Sequence, residues 1–289
     1  VGFFRLAAAA ALCVYVLAIA SPAPAAAPMR IVSLAPSVTE TLFALGAGPE
    51  VVGVSQYCDY PPQVLGLPRV GSFLTPNLEA IIALRPTLIV GLELSSDVRQ
   101  IRALNSMGYP VLLVSDDSLN EIETSIEKVG ARINRQDQAR RLVAQIQSQV
   151  AAVQQRLAKV KPQRALMLVG HQPIVAVGTG NYLDELMRIA RADNIAAAAG
   201  EQWPHLSIEF VIAMRPEVIL DGAMGSDPAS SDFWQNYPTI PAVRDHRVVG
   251  YAEDPMLHAG PRVGQSLEII ARKIHPEAWP DGAAAGASQ

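Results

Sequence analysis

One fourteen-residue pattern occurs twice in this 289-residue chain, 130 positions apart. Residues 77–90 read Asn-Leu-Glu-Ala-Ile-Ile-Ala-Leu-Arg-Pro-Thr-Leu-Ile-Val, and residues 207–220 read Ser-Ile-Glu-Phe-Val-Ile-Ala-Met-Arg-Pro-Glu-Val-Ile-Leu. Asn77 and Ser207 are good helix N-caps, and Glu79 and Glu209 fall in the first turn, where a carboxylate suits the helix dipole. Pro86 and Pro216 then stop each short helix before an apolar strand. Any capped helix running through Pro into a strand shares part of this pattern. The common offset, with one copy on each side of a long helical segment, points to two related lobes.

That segment runs from Gln136 to Val160 without Gly or Pro. Its apolar residues Leu142, Ile146, Val150, Val153, Leu157 and Val160 recur at helical spacing. A helix of about 25 residues spans ~37 Å, enough to pass from one lobe to another. Lys161-Pro162 ends it. Strands are expected at 30–34, 51–54, 87–91, 111–114, 164–169 and 218–221, with helical patterns between them. Ser37 or Thr39 offers a cap for the first helix, Leu183 to Ala192 forms a later one, and the last runs from about Pro261 to Ile274. Such alternation predicts α/β lobes with parallel sheets. The expected division is 28–135 for the N-terminal lobe, 136–160 for the connecting helix and 161–275 for the C-terminal lobe. Residues 276–289, rich in Ala, Gly and Pro, are expected to be a disordered tail. Two lobes bridged by one helix make a cleft, where ligands usually bind.

Ahead of the lobes, Arg5 precedes an apolar run from Leu6 to Ala20 and a small-residue stretch to Ala27. The run is shorter than the ~20 residues of a membrane span, so it reads as a signal peptide cut near Ala25–Ala27. Without residues 1–27 the chain has 22 basic and 27 acidic side chains and no basic run, which makes nucleic acid a poor partner. Loss of Cys13 leaves Cys58 alone, so no internal disulfide forms. P-loop, zincin, G-x-S-x-G and C-x-x-C motifs are absent. Gly178-Thr179-Gly180 reads as a tight turn feeding a helix. No His pair has metal-ligand spacing. His171, His205 and His258, with Tyr57, Tyr60, Phe73 and Trp203, are expected in loops, either as core plugs or as walls for a flat ligand.

The stretches Ile31-Val-Ser-Leu-Ala-Pro-Ser-Val-Thr-Glu40, Ser55-Gln-Tyr-Cys-Asp-Tyr-Pro-Pro-Gln63, Asn77-Leu-Glu79 and Trp203-Pro204 resemble the cobalamin branch of the class III periplasmic substrate-binding proteins. These carry metal chelates to ABC importers. The resemblance covers about residues 30–275. It implies two Rossmann-like lobes joined by a single long helix, a monomer, no catalysis and no resident cofactor. Carried over by motif, Tyr57, Trp203 and the loop Asp254, Pro255, Met256, Leu257 and His258 contact the ligand, as does Phe73. Phe73, Leu92 and Pro255 each stand where the family has Trp, and Cys58 where it has Ser. Glu79 and Glu209 match the carboxylates that dock on a permease dimer at the inner membrane. The implied ligand is a corrinoid. Haem, with Tyr57 or His171 as axial ligand, and a ferric siderophore are the alternatives, and an exported α/β enzyme is the remote one.

Overall fold

The computed structural model describes residues 28–93, 99–171, 173–222, 230–251 and 258–279. The expected signal segment, Asp254 to Leu257 and the last ten residues lie outside them. Strands β1 (Ile31–Ser33), β2 (Val51–Val54), β3 (Leu88–Leu92) and β4 (Val111–Val114) form one sheet in the order β2-β1-β3-β4, parallel throughout. A second sheet holds β5 (Gln163–His171), β6 (Ile174–Ala176), β7 (Ala192–Asn194), β8 (His205–Leu206), β9 (Val218–Asp221) and β10 (Val248–Gly250). Its order is β10-β9-β5-β6-β8, with β7 also pairing β5. The core of this sheet is parallel as expected, and one edge extends it with the other polarity. β10, β9, β5 and β7 are parallel, but β6 and β8 add antiparallel to the edge. β6 follows β5 too closely in sequence for a parallel crossover, which would need a helix.

The helices are α1 (Pro36–Ala44), α2 (Leu78–Ala83), α3 (Arg99–Ser106), α4 (Leu119–Arg132) and α5 (Gln136–Arg156). They continue with α6 (Tyr182–Ile189), α7 (Ile208–Met214), α8 (Ser230–Gln235), α9 (Pro241–Arg244) and α10 (Val263–Ile274). None among the described residues is long and apolar enough to cross a membrane. Alternation along the strands builds the core. Ile31, Leu88 and Val90 face one apolar cluster, while Val32 and Ile89 face another. In the second sheet Ala165, Met167, Val218 and Leu220 join the first cluster, and Leu166, Leu168 and Ile219 face a third. Strands buried on both sides read as unbroken apolar runs.

The two sheets share that first cluster through α5. Ala139, Val143, Ile146 and Val153 form its buried stripe. α4 packs on it from the N-terminal side and α10 from the C-terminal side. Glycine permits both approaches. A Cβ at Gly130 would lie 2.5 Å from the Ala139 Cβ, and one at Gly264 would lie 2.9 Å from the Gln149 Cβ. α5 stops at Arg156 rather than at Val160. Leu157 caps it, buried, and residues 158–160 turn toward β5.

The repeat is structural. Asn77 accepts a bond from the Ala80 amide at 3.0 Å, and Ser207 one from the Phe210 amide at 3.2 Å. Arg85 and Arg215 both adopt the left-handed conformation, φ 49° and 50°, just before the proline. A first-helix cap at Ser37 or Thr39 is not what forms. Ala35 is the cap, Pro36 opens α1, and both hydroxyls lie inside the helix, bonded elsewhere. Proline at the first position gives up no hydrogen bond, so a side-chain cap is less needed.

The expected tail is also corrected. Pro276–Ala278 form a 3-10 turn, and Trp279 is 7% exposed, with the Arg156 and Arg272 guanidiniums 5.2 Å and 5.3 Å from its ring centre. An aromatic ring able to bury this much area outweighs the poor local propensity of its flanks. Trp279→Ala is expected to cost about 3 kcal/mol, read as a lowered urea midpoint with unchanged slope.

Candidate functional site

A parallel sheet presents its ligand crevice beyond the carboxyl ends of the strands. A cleft of about 400 Å³ lies there between the sheets. One wall comes from Ala35, Pro36 and Ser37 after β1, Tyr57 after β2, Phe73, Leu92 at the end of β3, and Asp116 and Asp117 after β4. Asn181, Tyr182, Trp203, His258 and Ala259 supply the other. Of the residues expected to touch ligand, Tyr57, Phe73, Trp203 and His258 are thus brought together. Asp254, Pro255, Met256 and Leu257 lie outside the described residues. Tyr57 is 55% exposed and Trp203 42%. Two half-exposed rings, one from each lobe, give the cleft apolar faces that a flat ligand would cover.

A buried ion cluster fixes His258. The Glu40 carboxyl, 3% exposed in α1, accepts from Arg262 Nε at 2.8 Å and Nη2 at 2.7 Å, and lies 2.8 Å from His258 Nδ1. The Arg262 guanidinium also covers the Tyr60 ring at 3.8 Å. Glu185 of α6 accepts the Leu119 amide of α4 at 2.9 Å, a second bond from lobe to lobe.

Asp116 and Asp117 are charged site residues that sequence reasoning missed, as it missed Asn181 and Tyr182. An Asp-Asp-Ser run before a helix reads as a turn and cap, and only the strand order places it in the cleft. Ser37 Oγ donates to Asp116 Oδ2 at 3.1 Å. Burial, with the charges of Asp117 and Glu121, pushes Asp116 up to about 6 against the Ser37 bond. Burial likewise raises the Tyr182 phenol, helped by the Asp116 charge, so it stays protonated.

Other candidates fall elsewhere. His171 ends β5 with Nε2 2.6 Å from Asp221 Oδ2, which also accepts from Trp234 Nε1 at 2.8 Å. Phe233 stacks on its ring, and it is not among the cleft-lining side chains. His205 lies exposed in β8, not in a loop. Cys58 is buried beside the Thr39 and Ser55 hydroxyls, and burial pushes its thiol up. Glu79 and Glu209 are exposed in the first turns of α2 and α7, outside the cleft. Among the described residues no three His, Cys, Asp or Glu side chains are grouped to hold a metal ion.

The model of the periplasmic binding protein family matches residues 31–255. A vitamin B12-binding protein of Yersinia pestis (strain Pestoides F) is 30% identical over 252 residues, covering 87% of this chain and 88% of that protein. The periplasmic heme-binding protein RhuT from Roseiflexus sp. RS-1 superposes with a TM-score of 0.78 at 30% identity, covering 87% of this chain and 100% of that one. The periplasmic vitamin B12 binding protein BtuF of Vibrio cholerae superposes with a TM-score of 0.76 at 27% identity, covering 86% and 97%.

The raised Asp116 makes stability depend on pH. Its proton is held more tightly in the folded chain than in the unfolded one. The stability this contributes is therefore full below about pH 3.8 and lost as pH rises through about 6. Asp116→Asn is expected to raise the melting temperature by about 4 °C near neutral pH and to change it little below pH 4, measured by circular dichroism.

Proposed function

We propose, from the premise that this chain belongs to the periplasmic binding protein family, that it captures a corrinoid between its lobes and hands it to an ABC permease. As a member of that family it binds a solute and is not an enzyme. Two relatives are named for vitamin B12 and one for heme, so the family narrows the ligand to a metal chelate. The observation that carries the corrinoid reading is the charge of the cleft. Asp116 and Asp117 line it, and no Lys or Arg does among the described residues. A corrinoid has a periphery of carboxamides, whose N–H groups donate to carboxylates. Haem carries two propionates, and ferric catecholates carry net negative charge. Both would want the cations this wall lacks.

In this reading Tyr57, Phe73 and Trp203 cover the faces of the ring system, removing apolar area from water at ~25 cal/mol per Å². His258, held by Glu40, meets the ligand edge together with the loop from Asp254 to Leu257. Haem is the second reading, favoured by the half-exposed Tyr57 phenol, a candidate axial ligand. Titration with cyanocobalamin and with hemin, followed by tryptophan quenching and absorbance, separates them. Submicromolar cyanocobalamin binding supports the corrinoid, and a Soret shift with hemin alone replaces it. Trp203→Ala is expected to weaken cyanocobalamin binding about 10–100-fold.

Delivery needs a docking face. α2 and α7 each run back along the strand they precede, so their N-termini lie at the cleft edge of each sheet. Glu79 and Glu209 there give one exposed carboxylate per lobe, a two-point match for a permease dimer carrying cations. Such charges set register and on-rate more than affinity. The Glu79→Lys, Glu209→Lys double variant is expected to bind ligand within about two-fold of the parent chain yet to abolish uptake. Full uptake would overturn the docking role.

A further inference from the structure

We propose that Asp116 sets the charge of the ligand this cleft accepts, admitting groups that donate hydrogen bonds and turning away anionic ones. The inference deepens the ligand reading above and rests on the same cleft. α1 opens at the cleft lining with Ala35 as its cap, a residue with no side-chain acceptor to offer the first-turn amides. A helix start of this kind attracts anions. Asp116 stands beside it, its Oδ2 taking the Ser37 hydroxyl at 3.1 Å. The carboxylate therefore stands beside the helix start to which a ligand's anionic group would otherwise be drawn.

The surroundings reinforce that sign. Asp117 follows in the same loop, and Glu121 lies in the first turn of α4. Both charges act on Asp116 in the same direction. Tyr182 at the start of α6 is a neutral phenol, and Leu92 from β3 and Ala259 are apolar. His258 leans on Glu40, with Nδ1 2.8 Å from its Oε1. Arg262 is spent on the same Glu40 and does not line the cleft. A ligand with carboxamide or hydroxyl donors satisfies Asp116. A propionate or catecholate there meets a like charge without a cation between.

The test does not depend on which chelate binds. The chain has three tryptophans; Trp234 and Trp279 are buried, so Trp203 at the cleft reports on quenchers. Stern–Volmer quenching by iodide, an anion, is compared with quenching by neutral acrylamide in the parent chain and in Asp116→Asn. The variant is expected to raise the iodide constant about two-fold and to leave acrylamide unchanged. Lowering the pH from about 7.5 to about 5 should raise iodide quenching in the parent more than in the variant, because only the parent has Asp116 to protonate. Equal iodide constants at neutral pH would overturn the proposal. In parallel titrations Asp116→Asn should shift the hemin-to-cyanocobalamin affinity ratio about ten-fold toward hemin. A parent chain that binds cyanocobalamin no better than millimolar while the iodide difference persists would sink the corrinoid reading and leave the role of Asp116 standing, whereas a parent that prefers hemin would overturn both.

Discussion

The arrangement of the lobes depends on one buried carboxylate. Glu40 is desolvated in α1, and its compensation arrives from the far end of the sequence as Arg262 and His258. Removing either partner of a buried ion pair leaves an uncompensated charge, which costs more than the pair contributes. The clamp therefore locates the C-terminal segment against α1 more than it adds net stability. Of its three members His258 lines the cleft, so a small displacement of the clamp would move that wall and the start of α10. The shared apolar core along α5 holds the lobes from behind, so the walls of the cleft are set from two sides.

The cleft between them combines aromatic faces with acidic edges. Tyr57 and Trp203 face it half-exposed, an arrangement that presents apolar area to a ligand. Asp116 is kept in a low-dielectric position that favours its protonated form. Both features hold the site away from its own most stable composition, the usual trade at a binding surface. Neither would be retained by packing alone.

Much of the fold was legible because it rests on local signals. Strands buried on both faces read as runs such as Val51 to Val54 and Val218 to Asp221, and these ends match. The caps at Asn77 and Ser207 and the proline stops marked the repeat before any geometry. The antiparallel strands β6 and β8 were missed because a three-residue and a two-residue strand carry too few positions for a period. Trp279 was missed because composition described the tail by its Ala and Gly, while one ring decided where it goes. In the cleft, Tyr57, Phe73, Trp203 and His258 stood out as rings in loops, and motif resemblance chose the ligand role for them over a core one. Asp116 had no motif, since its role comes from the strand order that brings residues after β4 opposite α6. Which side chain meets another across some 65 positions is not a local property.

Cys58 has a consequence for handling an exported protein. Thiol–disulfide exchange proceeds through the thiolate and requires an approach line to the sulfur. This thiol is 1% exposed, raised by burial and set between the hydroxyls of Thr39 and Ser55. An unpaired cysteine on the surface would crosslink copies of the chain wherever oxidants are abundant. Here the sulfur is sealed into the N-terminal core one residue from an exposed cleft tyrosine. Burial thus keeps this sulfur from joining copies of the chain through a disulfide in an oxidising compartment.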